Sequence, residues 1–407
     1  MKRFPLSYPG FRWLWASSVC AYMAMWVQGA SISWLAYELS GSAALVGAVQ
    51  GIRIIPLLGL SPLSGVAADR YDRRRLLQSS QWIAAATVLA LGGALALHVV
   101  GVWMLFVFAL ATAAANVLDR PSRHSTVFEL VPREIAPRAV TLHIVTNSSM
   151  RVVGPALAGF VIASIGIAGS FFLQGVLYLG AGLFVYLVVF PPRRSTEGRA
   201  SAWSEMKAGL HYVASDPTTR LLMTVAAIQY FLLVPLFNTL FPVFAKDVFA
   251  TGPQGLGLMF TMVGAGGVIG GLTAGALMRL DRIGYIQAGA MLFFCASLAA
   301  LALSPTFVAA LAACAACGAA EMVVSVNNQT LLQMSAPADM RGRVISLIQL
   351  NPALIAAGSF VSGPLGDGLG ARGAVAVSAS VCAVVVVALL VRSARFRELR
   401  LSRYRYA

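Results

Sequence analysis

Three ionisable side chains in this 407-residue chain, Arg53, Arg151 and Glu321, fall deep inside long apolar runs. A charge at the bilayer centre costs about 2.5–3.5 kcal/mol on insertion scales, so each is a candidate for function. Glu321 follows a small-residue run, 314–320, whose apolar character penalises an ionised carboxylate. An acid placed there can take up and release a proton, which makes Glu321 the candidate for proton coupling. Arg53 and Arg151 have no acid at the same depth within their own half of the chain. Two cations facing one carboxylate leave an excess of positive charge, suited to an anionic or strongly polar substrate. Two alternatives stand beside this reading. Glu321 could sit in a permanent salt bridge with either arginine, or each arginine could bond helix carbonyls or amides such as Gln50, Asn147 or Gln174.

The elements that hold these groups follow from composition. The chain is 58% hydrophobic and 11% charged, far from a soluble domain, and its mean hydropathy is +0.79. Apolar runs long enough to span a bilayer are expected at 12–37, 43–68, 76–98, 101–120, 139–165, 169–190, 219–245, 254–279, 283–303, 306–332, 343–367 and 371–391. The first is too long for a signal-peptide core and is read as a retained span. With the N-terminus inside, 26 of the 30 Lys and Arg residues fall on the inner side and two, Lys246 and Arg372, outside. The positive-inside rule then puts both termini in the cytoplasm, and the even span count agrees. The net charge of +15 therefore belongs to membrane loops, which removes a nucleic-acid reading. The basic tail suits anionic lipid.

The expected organisation is a six-helix half (1–190), a cytoplasmic linker (191–218), a second six-helix half (219–392) and a basic tail (393–407). Within the linker, Trp203, Met206, Leu210 and Val213 recur at helical spacing, which fits a short helix along the membrane surface or a partly ordered linker. A shift of 205 residues lays 130–138 on 335–343, matching Pro, acid and final Arg. The same shift sets Asn116 opposite Glu321, so one half presents an amide where the other presents an acid. Such internal symmetry suits the parallel repeats of a transporter.

Between the second and third runs lies a dense charge cluster, Gly65, Asp69, Arg70, Asp72, Arg73, Arg74 and Arg75. Its spacing resembles the loop between the second and third helices of the major facilitator superfamily, with Asp72 where a second Gly is usual. Residues 25–42, 130–134, 151–159, 241–247 and 340–346 resemble the bacterial exporter branch that contains the enterobactin exporter and macrolide efflux pumps. The resemblance implies an all-α fold of twelve transmembrane helices in two pseudo-symmetric halves. It also implies that spans 1, 4, 7 and 10 line a cavity, which makes Tyr22, Trp26, Gln28, Tyr230, Asn238 and Asn327 candidate substrate contacts beside Asn116. From the same resemblance, Arg73 would pair with Asp119 and Asp69 would cap span 11 only when the halves close on the cytoplasmic side, forming with Gly65, Arg70, Arg74, Arg341 and Arg343 a conformational latch. The alternative for that loop is a purely topological role. Gly154, Pro155 and Gly159 partly match the fifth-helix signature of antiporters, which favours export, unless the kink serves packing alone.

No nucleophile, base and oxyanion set stands out, and no phosphate-binding Gly-rich Lys loop is present, so an enzyme is disfavoured. The five cysteines sit in apolar runs, and the Cys314–Cys317 pair lacks the partners of a metal site; no metal or cofactor is expected. The reading is a monomeric, proton-coupled exporter in a bacterial inner membrane, acting on small organic molecules with a tilt towards siderophore-like anions. Multidrug efflux and lysophospholipid flipping on the same fold are the alternatives.

Overall fold

The computed structural model describes residues 4–60, 72–190, 202–337 and 340–400. The helices are α1 (Pro9–Ser40), α2 (Ala43–Leu60), α3 (Arg73–Ala96), α4 (Val102–Leu130), α5 and α6 (together Ala136–Tyr186), α7 (Ala202–Ser215) and α8 (Pro217–Val248). There follow α9 (Gly252–Leu277), α10 (Ile283–Leu303), α11 (Phe307–Ser335), α12 (Arg341–Ile348), and α13 and α14 (together Asn351–Arg392). Among the described residues, ten helical runs are long and apolar enough to cross a membrane, and two of them, Ala136–Tyr186 and Gly342–Arg392 (which takes in most of α12), are 51 residues long. Each of those two is broken by one glycine, Gly166 (φ 81, ψ 171) or Gly370 (φ 70, ψ 161), so twelve crossing segments result. The two breaks lie 204 residues apart, close to the repeat read from the sequence.

Those dihedrals belong to a region that only glycine occupies without strain. Gly166→Ala and Gly370→Ala are therefore each expected to destabilise by about 1–3 kcal/mol, read as earlier unfolding in detergent. Gly93→Ala on α3, where a Cβ would meet nothing within 4 Å, is the near-neutral control.

Side-chain caps fix where several helices begin. Asp72 accepts from the Arg74 N–H at 2.8 Å, Asp216 from Thr219 at 2.7 Å with Pro217 in the first turn, and Thr306 from Ala309 at 3.3 Å. Helix α4 runs ten residues past the expected span end at 120, carrying Pro121 inside it. That extension keeps Arg123 on a packed helix instead of in a loop.

The chain forms two compact units. Unit 1 holds 1–39, 55–202 and 252–257; unit 2 holds 40–54, 203–251 and 258–407. In unit 1, Phe11, Leu14, Leu77, Val127, Val131, Val185 and Val188 form an apolar cluster that joins one end of α1, α3, α4 and α6. Also in unit 1, α5 meets the first turns of α9 backbone to backbone: a Cβ on Gly159 would lie 2.6 Å from the Pro253 carbonyl, and one on Gly257 2.6 Å from the Pro155 carbonyl. In unit 2, Phe237 packs on Phe241 and Phe294 at centroid distances of 5.2 and 5.9 Å. Many large apolar side chains face outward along the spans, Leu183 at 61% exposed and Leu303 at 77% among them, which suits a surface solvated by lipid.

Candidate functional site

In unit 1 the polar side chains gather where α1 meets α5. Tyr22 and Trp26 stand one helical turn apart on α1, and His143 and Asn147 stand one turn apart on α5. Matching spacings on two packed helices make the pairs. The Tyr22 hydroxyl lies 2.5 Å from His143 Nε2, and Trp26 Nε1 donates to Asn147 Oδ1 at 3.1 Å. One turn further along α5, the Arg151 guanidinium lies over the Trp26 ring, 5.6 Å from its centroid, a cation–π arrangement. Gly154 permits this proximity, since a Cβ there would come within 2.6 Å of Trp26 Cβ. Gln28, 4% exposed, accepts from the Tyr178 hydroxyl at 2.9 Å and so ties α1 to α6. Asn116 turns back on its own helix, donating to the Thr112 carbonyl at 2.9 Å.

In unit 2 a π-turn of α8, Gln229–Leu233, aims two side chains at α11. Such a turn inserts one residue into the helical register and re-aims what it carries. Gln229 Nε2 donates to the Glu321 carbonyl at 3.1 Å and to Ser325 Oγ at 3.0 Å, and the Tyr230 hydroxyl lies 3.1 Å from the same Ser325. Glu321 is 7% exposed. Tyr230, Ser325, Asn328, Gln329 and Asn351 line a small pocket between α8, α11 and α13, closed on its other sides by Ala226, Leu332 and Ile348. Asn328 Oδ1, at the pocket, and both amide atoms of fully buried Asn327 have no hydrogen-bond partner among the described residues. Asn238 is half-buried further along α8. Arg53 lies near the middle of α2 and donates to Gln50 Oε1 at 3.1 Å, the amide partner weighed above.

The charge-cluster residues are placed differently from expectation. Gly65, Asp69, Arg70 and the Arg341 side chain lie outside the described residues. Arg73 pairs with Glu129, not with Asp119. The cause is the register of the antiparallel α3–α4 pair, which sets Arg73 level with Glu129 and Gln81 level with Asp119. The ten residues from 119 to 129 span about 15 Å of helix, beyond an arginine's reach. Asp119 is instead held by Arg123 through two bonds of 2.8 Å, with Gln81 at 2.8 Å and Ser80 at 3.3 Å on Oδ1. Arg123 also donates to Ser17 and Ser18 of α1 at 3.1 and 3.0 Å. Arg74 lies against the Tyr186 and Phe190 rings and donates to the Val188 carbonyl at 2.5 Å, and Arg343 donates to Met340 Sδ at 3.1 Å. The i,i+4 spacing of Asp119 and Arg123 is the sequence signal for that pair, and the Tyr22/Trp26 and His143/Asn147 spacings are the signal for the α1–α5 seam.

Twelve apolar segments in a broken-helix repeat, with polar contacts buried where α1 meets α5 and where α8 meets α11, define a multi-pass membrane transporter of the major facilitator fold. A crystal structure of a bacterial homologue of the human lysosomal transporter Spinster, inward-facing and unoccupied, superposes with a TM-score of 0.72 over 96% of each chain at 15% identity, a likeness of fold. The chain belongs to the transmembrane secretion effector family of that superfamily, whose profile matches residues 3–403. Among its relatives are the enterobactin exporter EntS of Shigella flexneri, 24% identical over 386 residues (89% of this chain, 84% of the relative), and the multidrug efflux pump Tap of Mycolicibacterium fortuitum, 26% identical over 382 residues (91% and 92%). The family is one of transporters, not enzymes, and implies small-molecule substrates.

Proposed function

We propose that the protein exports small organic molecules from the cytoplasm by proton antiport, with Glu321 as the proton-binding group and a preference for siderophore-like anions. The observation that carries the preference is the Arg151–Trp26–Asn147 cluster of unit 1: a cation, an aromatic face and an amide, the set that recognises an anionic aromatic or hydroxycarboxylate group. The relationship to a siderophore exporter supports the same reading. In it, two pseudo-symmetric six-helix halves alternate access across a bacterial inner membrane, both termini are cytoplasmic, the protein works as a monomer, and Arg53, Asn116, Tyr22, Gln28, Tyr230, Asn238 and Asn327 supply further contacts. The relationship to Tap supports a second reading, efflux of cationic drugs, in which both arginines are structural.

Efflux from proteoliposomes under an imposed pH gradient separates the two. An anionic ferric-chelate precursor is expected to be moved in preference to a cationic dye, and Arg151→Gln is expected to slow the anion on the order of tenfold, the worth of one charge-assisted contact. Preference for the dye, unchanged in Arg151→Gln, would establish the second reading.

A further inference from the structure

Helix α2 begins with a cap that the transport reading does not use. Within unit 2, Gly41 (φ 63) turns the chain and Ser42 starts the helix, its hydroxyl accepting from the Leu45 N–H at 3.2 Å. The next two orphan donors go to a side chain far away in sequence: the Ala43 and Ala44 N–H groups donate to Asp367 of α13 at 2.6 and 3.0 Å. Ser42 Oγ also donates to Asp367, at 2.6 Å. The three N–H groups that the first turn of α2 leaves open are thus all satisfied, two of them by one carboxylate at the positive end of the helix dipole. Beneath the cap the two helices touch backbone to backbone. A Cβ on Gly47 would lie 2.3 Å from the Ser359 carbonyl, and one on Gly363 2.6 Å from the Ala43 carbonyl.

We infer that Asp367 is the releasable latch of the α2–α13 junction, closed in this structure and opened each time α2 parts from α13 during transport. This rests on alternating access but not on any substrate or coupling ion. The physical case is a contrast between two carboxylates. Asp119 is buried, so breaking its pair would strand an arginine in the protein interior; Asp367 is exposed and rehydrates on release. Lipid supplies no hydrophobic drive to keep two apolar helices together, so a glycine seam closed by a directional, charged cap has two discrete states.

The test reads geometry directly. Spin labels at Leu45→Cys and Gly368→Cys, where a Cβ meets nothing within 4 Å, report the α2–α13 distance by pulsed electron resonance, in a background with the five native cysteines replaced. Asp367→Asn, which keeps the shape and removes the charge, is expected to raise the ratio of long to short distances about tenfold. Ser42→Ala should shift it in the same direction by less, and Asp367→Glu should return it towards the parent. Should Asp367→Asn fail to give a monodisperse protein, Ser42→Ala decides alone. Distance distributions identical to the parent's in the variants that fold would overturn the latch and leave the exporter reading standing. Absence of proton-driven efflux would overturn the exporter reading and leave the distances to decide the latch.

Discussion

Glu321→Gln is expected to abolish transport driven by a pH gradient while leaving substrate exchange across the membrane intact. The amide has the shape of the protonated acid and cannot lose a proton, so a carrier bearing it should still bind, reorient and release substrate in counterflow. It should lose only the step that draws energy from the gradient. The geometry suits this separation: the Gln229 contact is with the Glu321 backbone carbonyl, which the substitution does not touch. Parallel assays of gradient-driven efflux and of counterflow, on protein of matched expression and monodispersity, check it. Full gradient-driven activity would remove Glu321 from coupling, whereas loss of both activities would make it a substrate contact or a structural acid.

The second large effect concerns stability. Arg123 is 1% exposed and Asp119 7%, and the carboxylate compensates the guanidinium through two bonds of 2.8 Å. Removing the acid, as in Asp119→Leu, strands a buried cation and is expected to destabilise by about 3–5 kcal/mol. Replacing both partners, Asp119→Leu with Arg123→Met, should recover much of that loss, because the desolvation of two charges vanishes along with their attraction. Arg73→Gln gives the scale. Its pair with Glu129 is 27% and 38% exposed, so it should change stability by no more than about 1 kcal/mol. Denaturant unfolding of the four proteins in one detergent orders them. A double variant no more stable than Asp119→Leu alone would mean that Ser17, Ser18, Gln81 and Ser80 need the charges.

The spans, the divisions at 165–169 and 367–371 and the burial of Glu321 are legible because each rests on a local signal: runs of about twenty apolar residues with definite ends, and an acid amid small apolar residues; the glycines that make the breaks, Gly166 and Gly370, show themselves only in the structure. The Arg53–Gln50 bond is local too, three residues apart on one helix. What escaped depends on how one helix slides against another. A span that ends at 120, before Pro121, leaves Arg123 in a loop, whereas the helix continues to Leu130 and carries Arg123 into the packed interior. Arg73 meets Glu129 and not Asp119 in this structure because the register of two antiparallel helices is set by their packing, which composition does not encode. Asp367 reads as one more acid near a span end until α2 is laid beside it.

Residues 40–54 and 252–257 each belong to the compact unit built mainly from the opposite half of the chain. Severing the polypeptide in 191–201 would therefore not yield two self-sufficient pieces. The first fragment would lack the turns that fill the Gly159 notch, and the second would carry an Asp367 with no helix end to cap. Like a pair of domain-swapped subunits, the fragments would each complete the other's core, so split-gene expression should give an obligate heterodimer and not two stable half-transporters.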